Sequence, residues 1–338
     1  MLQIVSVRDA TNDEWDEVWR CSEYGTYFHS REWAEIWQLY TDGNMSPYPK
    51  IITFSDDREV VLPIIRQCYY NGIIKRYALT GPPFMTKYGN WLNKDSLNKQ
   101  HITLLVSFII KRYKNLKWQL NPYDENSKNI AVNSKYAKRV PQISYIIDLS
   151  KGEETVYANM KQSCRNHIKQ GINNNLTVTE GIDINHWKIY YEIYRDTVKR
   201  WGAKARFVLG WRLFEILFHK NNPNIKLWLV WYKNIAIAGS INFYSQRKII
   251  GWNMASLTDY RKLRPNHFLE YMMIKHGIEK NYNWYDLGID AGIKGLENFK
   301  RSFGPEKKMC DTIIAWQPIV YYLIQAKNYI RNEKDHAL

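Results

Sequence analysis

The chain has 338 residues, 45% of them hydrophobic, which supports two domains of ordinary size with a core in each and excludes an intrinsically disordered protein. Its 48 lysines and arginines against 33 acidic residues give a formal charge of +15, which points to a polyanionic partner: tRNA, a nucleotide-linked sugar or an anionic membrane surface. The four cysteines, at 21, 68, 164 and 310, form no C-x-x-C pair, so neither a disulfide framework nor a metal site is expected.

The chain begins "MLQIVSVRDATNDEWDEVWR", acidic and amphipathic where a signal peptide is basic and then continuously apolar. With no run of about eighteen uncharged apolar residues, a cytoplasmic protein is expected, with peripheral contact at the inner membrane surface as an option. Next, "YFHSREWAEIWQLY" spaces Trp33, Ile36, Trp37 and Tyr40 as one helix face, with Ser30 as N-cap. A strand meander begins at Pro49, turns at Asp56-Asp57 and continues in a longer second strand, a further turn and a third strand. A second begins at Ile225, about 176 residues later, and turns at Lys233-Asn234. Identities between the two are few, so duplication of one unit competes with chance likeness. Before the second meander the pattern predicts helices over 154–171, ended by Gly171, and over 186–202, ended by Gly202. After it, "PNHFLEYMMIKHGIEKNY" reads as a helix entered through Pro265, and "WYDLG" as a further strand. These elements give an α+β protein of helices and mostly antiparallel strands. A boundary near 150 gives two domains, 1–150 and 151–338, the second ending in an amphipathic helix with Pro318 near its start. That helix is expected to dock on one of the domains; Lys327, Arg331 and Lys334 offer a membrane-surface alternative.

No G-x-S-x-G, H-E-x-x-H, Walker loop or dinucleotide fingerprint occurs. "YDLGIDAGIKGLENFKRSFG", residues 285–304, has four glycines, but its G-x3-G-x2-G spacing and the placing of its lysines do not make a P-loop. What it predicts is a strand ending at Asp286, a glycine turn, and a short helix that sets Lys300 between Phe299 and Phe303. Apolar neighbours make one fixed positive charge worth more than it is in water. Lys161, Arg165 and Lys169 form a basic ridge beside an apolar stripe of Val156, Met160, Cys164 and Ile168. Such a ridge suits a diphosphate or nucleic-acid backbone, and a plain solvated helix face explains it almost as well. "TVKRWGAKARF" adds Arg200 and Arg206, ranked above Lys199 and Lys204 because guanidinium binds phosphate in two-pronged fashion.

The chain resembles the Fem-like acyltransferases, a superfamily with two acetyltransferase-type (GNAT) domains in tandem that includes the peptidoglycan-bridge aminoacyltransferases. Four stretches carry the resemblance: "YFHSREWAEIW", "MKQSCRNHIKQGINNNLTV", "GSINFYSQRKIIGWNMASLTDYRKLRPNHFLEYMMIKHG" and "YDLGIDAGIKGLENFKRSFG". The resemblance implies N-acylation by direct attack of an amine on an activated carbonyl, with no covalent enzyme intermediate. It implies no permanently bound cofactor; the co-substrate is aminoacyl-tRNA or acyl-CoA, and the acceptor is an amine-bearing envelope or sugar precursor. Phe299-Lys300 matches the family's Phe-Lys pair at the reaction centre, with Lys300 stabilising the oxyanion and Asp286 a candidate base. Arg206 matches a phosphate-contacting arginine. Trp37 stands in the region where the aminoacyl branch has an acceptor-binding lysine, which puts the acceptor class in question. Two further readings are an acetyl-CoA-dependent N-acetyltransferase of surface polysaccharide synthesis and a non-catalytic module binding a nucleotide-sugar or RNA.

Overall fold

The computed structural model describes residues 1–69, 74–79, 88–125, 130–132, 134–202, 205, 208–289 and 292–322. The chain folds into two units: Met1–Gln142 together with Met309–Leu338, and Ile143–Lys308.

Unit 1 opens with β1 (Ile4–Asp9) and α1 (Asn12–Cys21). A capping box starts that helix: Thr11 Oγ1 accepts the Glu14 N–H at 3.3 Å, and the Glu14 carboxylate accepts the Thr11 N–H at 2.8 Å. As the sequence predicts, Ser30 then caps α2 (Arg31–Tyr40), accepting the Trp33 N–H at 3.2 Å. Trp33, Ile36 and Trp37 are buried on one face of that helix. β2 (Met45–Pro47) and β3 (Lys50–Phe54) follow, and the expected long second strand of the meander is split at Pro63 into β4 (Glu59–Leu62) and β5 (Ile64–Tyr69). Proline cannot donate to a ladder, so the strand changes sheets there: β4 completes a three-stranded sheet β1-β3-β4, and β5 enters a second, six-stranded one. β6 (Ile74–Leu79), α3 (Lys99–Arg112), β7 (Leu116–Gln119), β8 (Ala137–Val140) and the returning β16 (Thr312–Ala315) complete the unit. The second sheet runs β2-β5-β6-β7-β16-β8, and β6 pairs parallel to β7 across the α3 crossover. Ile52, Phe54, Leu62, Leu105, Ile109, Trp118 and Ile313 belong to its core.

Unit 2 begins with β9 (Ile143–Asp148), α4 (Gly152–Asn159), α5 (Gln162–Asn173), β10 (Thr177–Glu180), α6 (Ile184–Trp201) and α7 (Trp211–His219). Its meander is regular: β11 (Ile225–Tyr232), a turn with Lys233 at φ 54°, β12 (Ile235–Ser245), a turn at Gln246-Arg247, and β13 (Lys248–Ser256). α8 (Pro265–Glu279) crosses over to β14 (Trp284–Ile289), and α9 (Lys294–Ser302) and β15 (Glu306–Met309) follow. The seven strands lie in the order β10-β11-β12-β13-β14-β9-β15, with β13 and β14 parallel. Antiparallel meander, crossover helix and parallel strand therefore occur once in each unit, so the repeat read from the sequence is architectural.

Three expectations differ from the structure. Residues 143–150 belong to unit 2, because β9 pairs with β14, and from Met309 the chain returns to unit 1, because β16 pairs with both β7 and β8. The helix expected over 154–171 is two helices, broken where Met160 is extended at ψ 144°. Gly171 lies inside α5, where a side chain would meet Phe268 at 2.8 Å, and the helix runs on to Asn173, with Asn174 as its C-cap. Of the predicted C-terminal helix, residues 318–322 are helical, and Lys327, Arg331 and Lys334 lie outside the described residues.

Candidate active site

In unit 2, β13 and β14 run side by side for three residue pairs, Lys248 with Trp284, Ile249 with Tyr285 and Ile250 with Asp286. Beyond Asp286 the pairing ends, although β13 continues to Ser256. On the other side, the register of β14 against β9 shifts between Asp286 and Ile289, with Gly288 at φ 83°. Two neighbouring strands that separate leave main-chain groups at the strand end without a ladder partner, which is where a substrate can be held.

Asp286 sits at this point, fully buried, and accepts from the Ser144 hydroxyl at 3.0 Å and from the Gly288 N–H at 2.6 Å. Its carboxylate is thus committed to shaping the turn, which is the work of an anchor and leaves little of it for the expected base. Past the turn, α9 delivers Phe299 and Lys300 as the sequence predicts. Lys300 is only 9% exposed, and its Nζ donates to the Ile289 carbonyl at 2.9 Å, which aims a charged group at the end of β14.

α8 supplies residues that the sequence reading missed. His267 lies edge-on to Phe299, with ring centroids 4.8 Å apart, and against Phe303 at 5.8 Å. Its Nε2 is 3.3 Å from Nδ1 of His167 on α5. Burial pushes the His267 imidazole down to about 3, with His167 and Arg264 adding to the effect, so this wall of the site is uncharged at neutral pH. One turn on, the buried Glu270 carboxylate accepts a hydrogen bond from the Tyr285 hydroxyl. Burial raises Glu270 to about 7, against the opposing pull of the Tyr285 hydrogen bond and the Lys300 charge. Cys164 on α5 is fully buried, and burial raises its thiol to about 11, so it is packing and not a nucleophile. A signal for Glu270 was present: it falls on the stripe of buried α8 residues Met273, Ile274 and Gly277, where an acid has no packing reason to be.

The anion-binding candidates divide. Lys169 on α5 and Lys161, the residue just before that helix, are exposed. Arg165, from the same ridge, turns back to the carbonyls of Ala158, at 2.9 Å, and Met160, and so caps α4 across the break. Arg200 donates to the Ser256 carbonyl at 3.0 Å and the Thr258 hydroxyl at 2.9 Å, tying the end of α6 to the end of β13. Arg206 lies outside the described residues. Trp37 is in unit 1, fully buried and edge-on to Trp33 and Tyr40, and presents no surface to an acceptor. Among the described residues no group of three or more His, Cys, Asp or Glu is placed to hold a metal, and no helix is long and apolar enough to cross a membrane.

Residues 162–301 match the family model described as the acetyltransferase (GNAT) domain, a span that contains α5, α8, β14 and the Phe299-Lys300 pair. No curated protein matches the chain significantly. Among solved structures it is similar to FemX, with a TM-score of 0.68 at 15% identity over 95% of this chain and 100% of that one. The fold is Fem-like: two GNAT-type units in tandem. The Fem-like architecture also extends to a conserved protein of unknown function from Bacteroides thetaiotaomicron VPI-5482, with a TM-score of 0.57 at 14% identity over 93% and 100% of the two chains. L-PGS from Bacillus licheniformis shares it at a TM-score of 0.55 and 12% identity, over 94% of this chain and 96% of that one. In this Fem-like frame the repeated meander is the tandem itself, and the residues around β14 lie in the unit that the acetyltransferase model matches.

Proposed function

We propose that this protein is an N-acyltransferase that moves an activated acyl or aminoacyl group onto an amine of a cell-envelope or glycan precursor. The observation that carries the reading is the buried Lys300, held by the Ile289 carbonyl beside Phe299 at the end of β14, inside the segment that matches an acetyltransferase domain. In the reaction the acceptor nitrogen attacks the carbonyl carbon and the carbonyl π electrons move onto oxygen. Lys300 stabilises that oxyanion from a low-dielectric position. Collapse breaks the C–O bond of an aminoacyl ester or the C–S bond of a thioester; the leaving oxygen or sulfur takes up a proton, and the proton of the acceptor amine passes to solvent. The ester or thioester is already activated, so placement of the two reactants can supply ~7–11 kcal/mol at best. Lys300→Ala is expected to lower kcat by about 10²–10³ and leave acceptor affinity within a few-fold. Unchanged kcat in that variant refutes the assignment.

Two donors fit the charge of the chain, aminoacyl-tRNA and acyl-CoA. One observation suits acyl-CoA: α8 begins after Arg264 with no side-chain cap, and Arg261 and Lys262 lie in the turn before it, an arrangement that favours a pyrophosphate. Binding measured at two salt concentrations separates the donors, because steep weakening is expected for tRNA and little for acetyl-CoA. The formal charge of +15 supports tRNA. A wild-type protein that binds a nucleotide-linked sugar or RNA and transfers nothing from either donor would instead be a binding module. Location in the cytoplasm and peripheral contact with the inner membrane surface are part of the same proposal, since nucleotide- and lipid-linked precursors meet there.

A further inference from the structure

Three stretches far apart in the sequence, 111–117, 134–138 and 314–322, meet at one end of unit 1. The Gln317 N–H donates to Asn115 Oδ1 at 3.2 Å, and the Trp316 N–H donates to the Tyr136 carbonyl at 2.9 Å. Tyr136 lies edge-on to Tyr321 and Tyr322, with ring centroids 5.6 and 6.2 Å apart. Lys135 Nζ stands 4.9 Å over the Tyr136 ring, and Lys138 Nζ stands 5.6 Å over the Trp316 ring. The three stretches hold Lys111, Arg112, Lys114, Lys117, Lys135 and Lys138 and no acidic residue. Lys111, Arg112, Lys135 and Lys138 are exposed. Cations gathered without counter-charges repel one another, and an anionic partner turns that cost into attraction.

The apolar side chains say which anionic partner. In the short helical run 318–322, Ile319 is 68% exposed and Tyr322 56%. An aliphatic side chain held in water beside lysines gains nothing from phosphates or nucleobases, but gains by entering the boundary between headgroups and acyl chains of a bilayer. Trp316, Tyr136 and Tyr321 are amphipathic rings of the kind that sit at headgroup level, and lysine stems reach the phosphates from there.

We propose that this end of unit 1 is a docking surface for an anionic lipid bilayer, with Ile319 and Tyr322 entering the interface and Lys135 and Lys138 meeting the lipid phosphates. It does not depend on Lys327, Arg331 and Lys334, which lie outside the described residues. It rests, for its setting, on the proposed contact with the inner membrane surface. Vesicle binding needs no acyl donor, however, so a failure to dock leaves the transferase reading standing and a failure to transfer leaves this one.

The test is co-sedimentation of the full chain with two kinds of vesicle, phosphatidylcholine alone and phosphatidylcholine with about one third phosphatidylglycerol. The chain should bind the second kind and leave the first in solution. Lys135→Gln with Lys138→Gln should weaken binding about 30-fold, about fivefold for each lysine, and Lys135→Arg with Lys138→Arg should retain it. Ile319→Ser with Tyr322→Ser should also weaken binding, and should do so even at salt that screens the lysines. These side chains lie at the surface, so thermal unfolding of every variant should match wild type. Equal binding to both kinds of vesicle, binding to neither, or wild-type affinity in the glutamine or the serine variant overturns the proposal. A chain that holds no vesicle but binds tRNA, and loses it in the glutamine variant, carries a nucleic-acid face here instead, which also overturns it.

Discussion

Gly304 shows what one residue position demands. Its φ is 69°, and a Cβ placed on it would lie 2.4 Å from the Asn159 carbonyl oxygen, a main-chain atom that cannot move aside cheaply. The close approach joins the end of α9 to the end of α4, where the Lys161 N–H also donates to the Ser302 carbonyl at 2.8 Å. Gly304→Ala is therefore expected to cost about 1–3 kcal/mol in urea unfolding and to lower transfer by displacing Lys300. Wild-type stability in that variant would show that the approach is not constrained. At this scale the sequence was informative about Lys300, whose flanking phenylalanines mark a low-dielectric setting. For Glu270 it offered only an acid on an apolar stripe, because the partner that holds it, the Tyr285 hydroxyl, lies fifteen residues away.

Among the elements, those with strong local signals emerge as read. Ser30 caps α2, Gly202 ends α6 at φ 53°, and Pro265 opens α8. The errors fall where a local pattern is compatible with two structures. From Val156 to Ile168 the apolar residues recur every four positions, and all four are buried, so the period gives no hint of the break at Met160. The break is made by tertiary partners: Arg165 folds onto the exposed carbonyls, and Ser302 takes the next N–H. The basic ridge consequently loses Arg165 to capping, and Arg200 is likewise committed to β13. A sequence shows where cations are and not which of them the fold has already used. The split of the first long strand at Pro63 is the opposite case, since proline announced an interruption and only its consequence, a change of sheet, needed the structure.

At the scale of the whole molecule, the C-terminal return is decisive. β16 is an interior strand of unit 1, paired to β7 at Thr312–Gln119 through Ala315–Leu116 and to β8 at Thr312–Val140 through Ala315–Ala137. It supplies Ile313, fully buried, to that core. Removing residues 309–338 should unmake unit 1, read as rapid proteolysis within residues 1–142; equal resistance of the full and shortened chains would refute the placement. By itself the sequence determined the mixed helix and strand content, the two meanders, the short helix carrying Phe299 and Lys300, and the likeness to Fem-like chains, because each is written in local period, turn chemistry or a contiguous motif. The tertiary structure alone decided that the last strand returns to the first unit, that Arg165 and Arg200 serve the fold, and that Glu270 and Tyr285 pair in the interior of unit 2. Those facts depend on which distant residues share one buried volume, and burial, which sets both packing and charge, is a property of the folded chain.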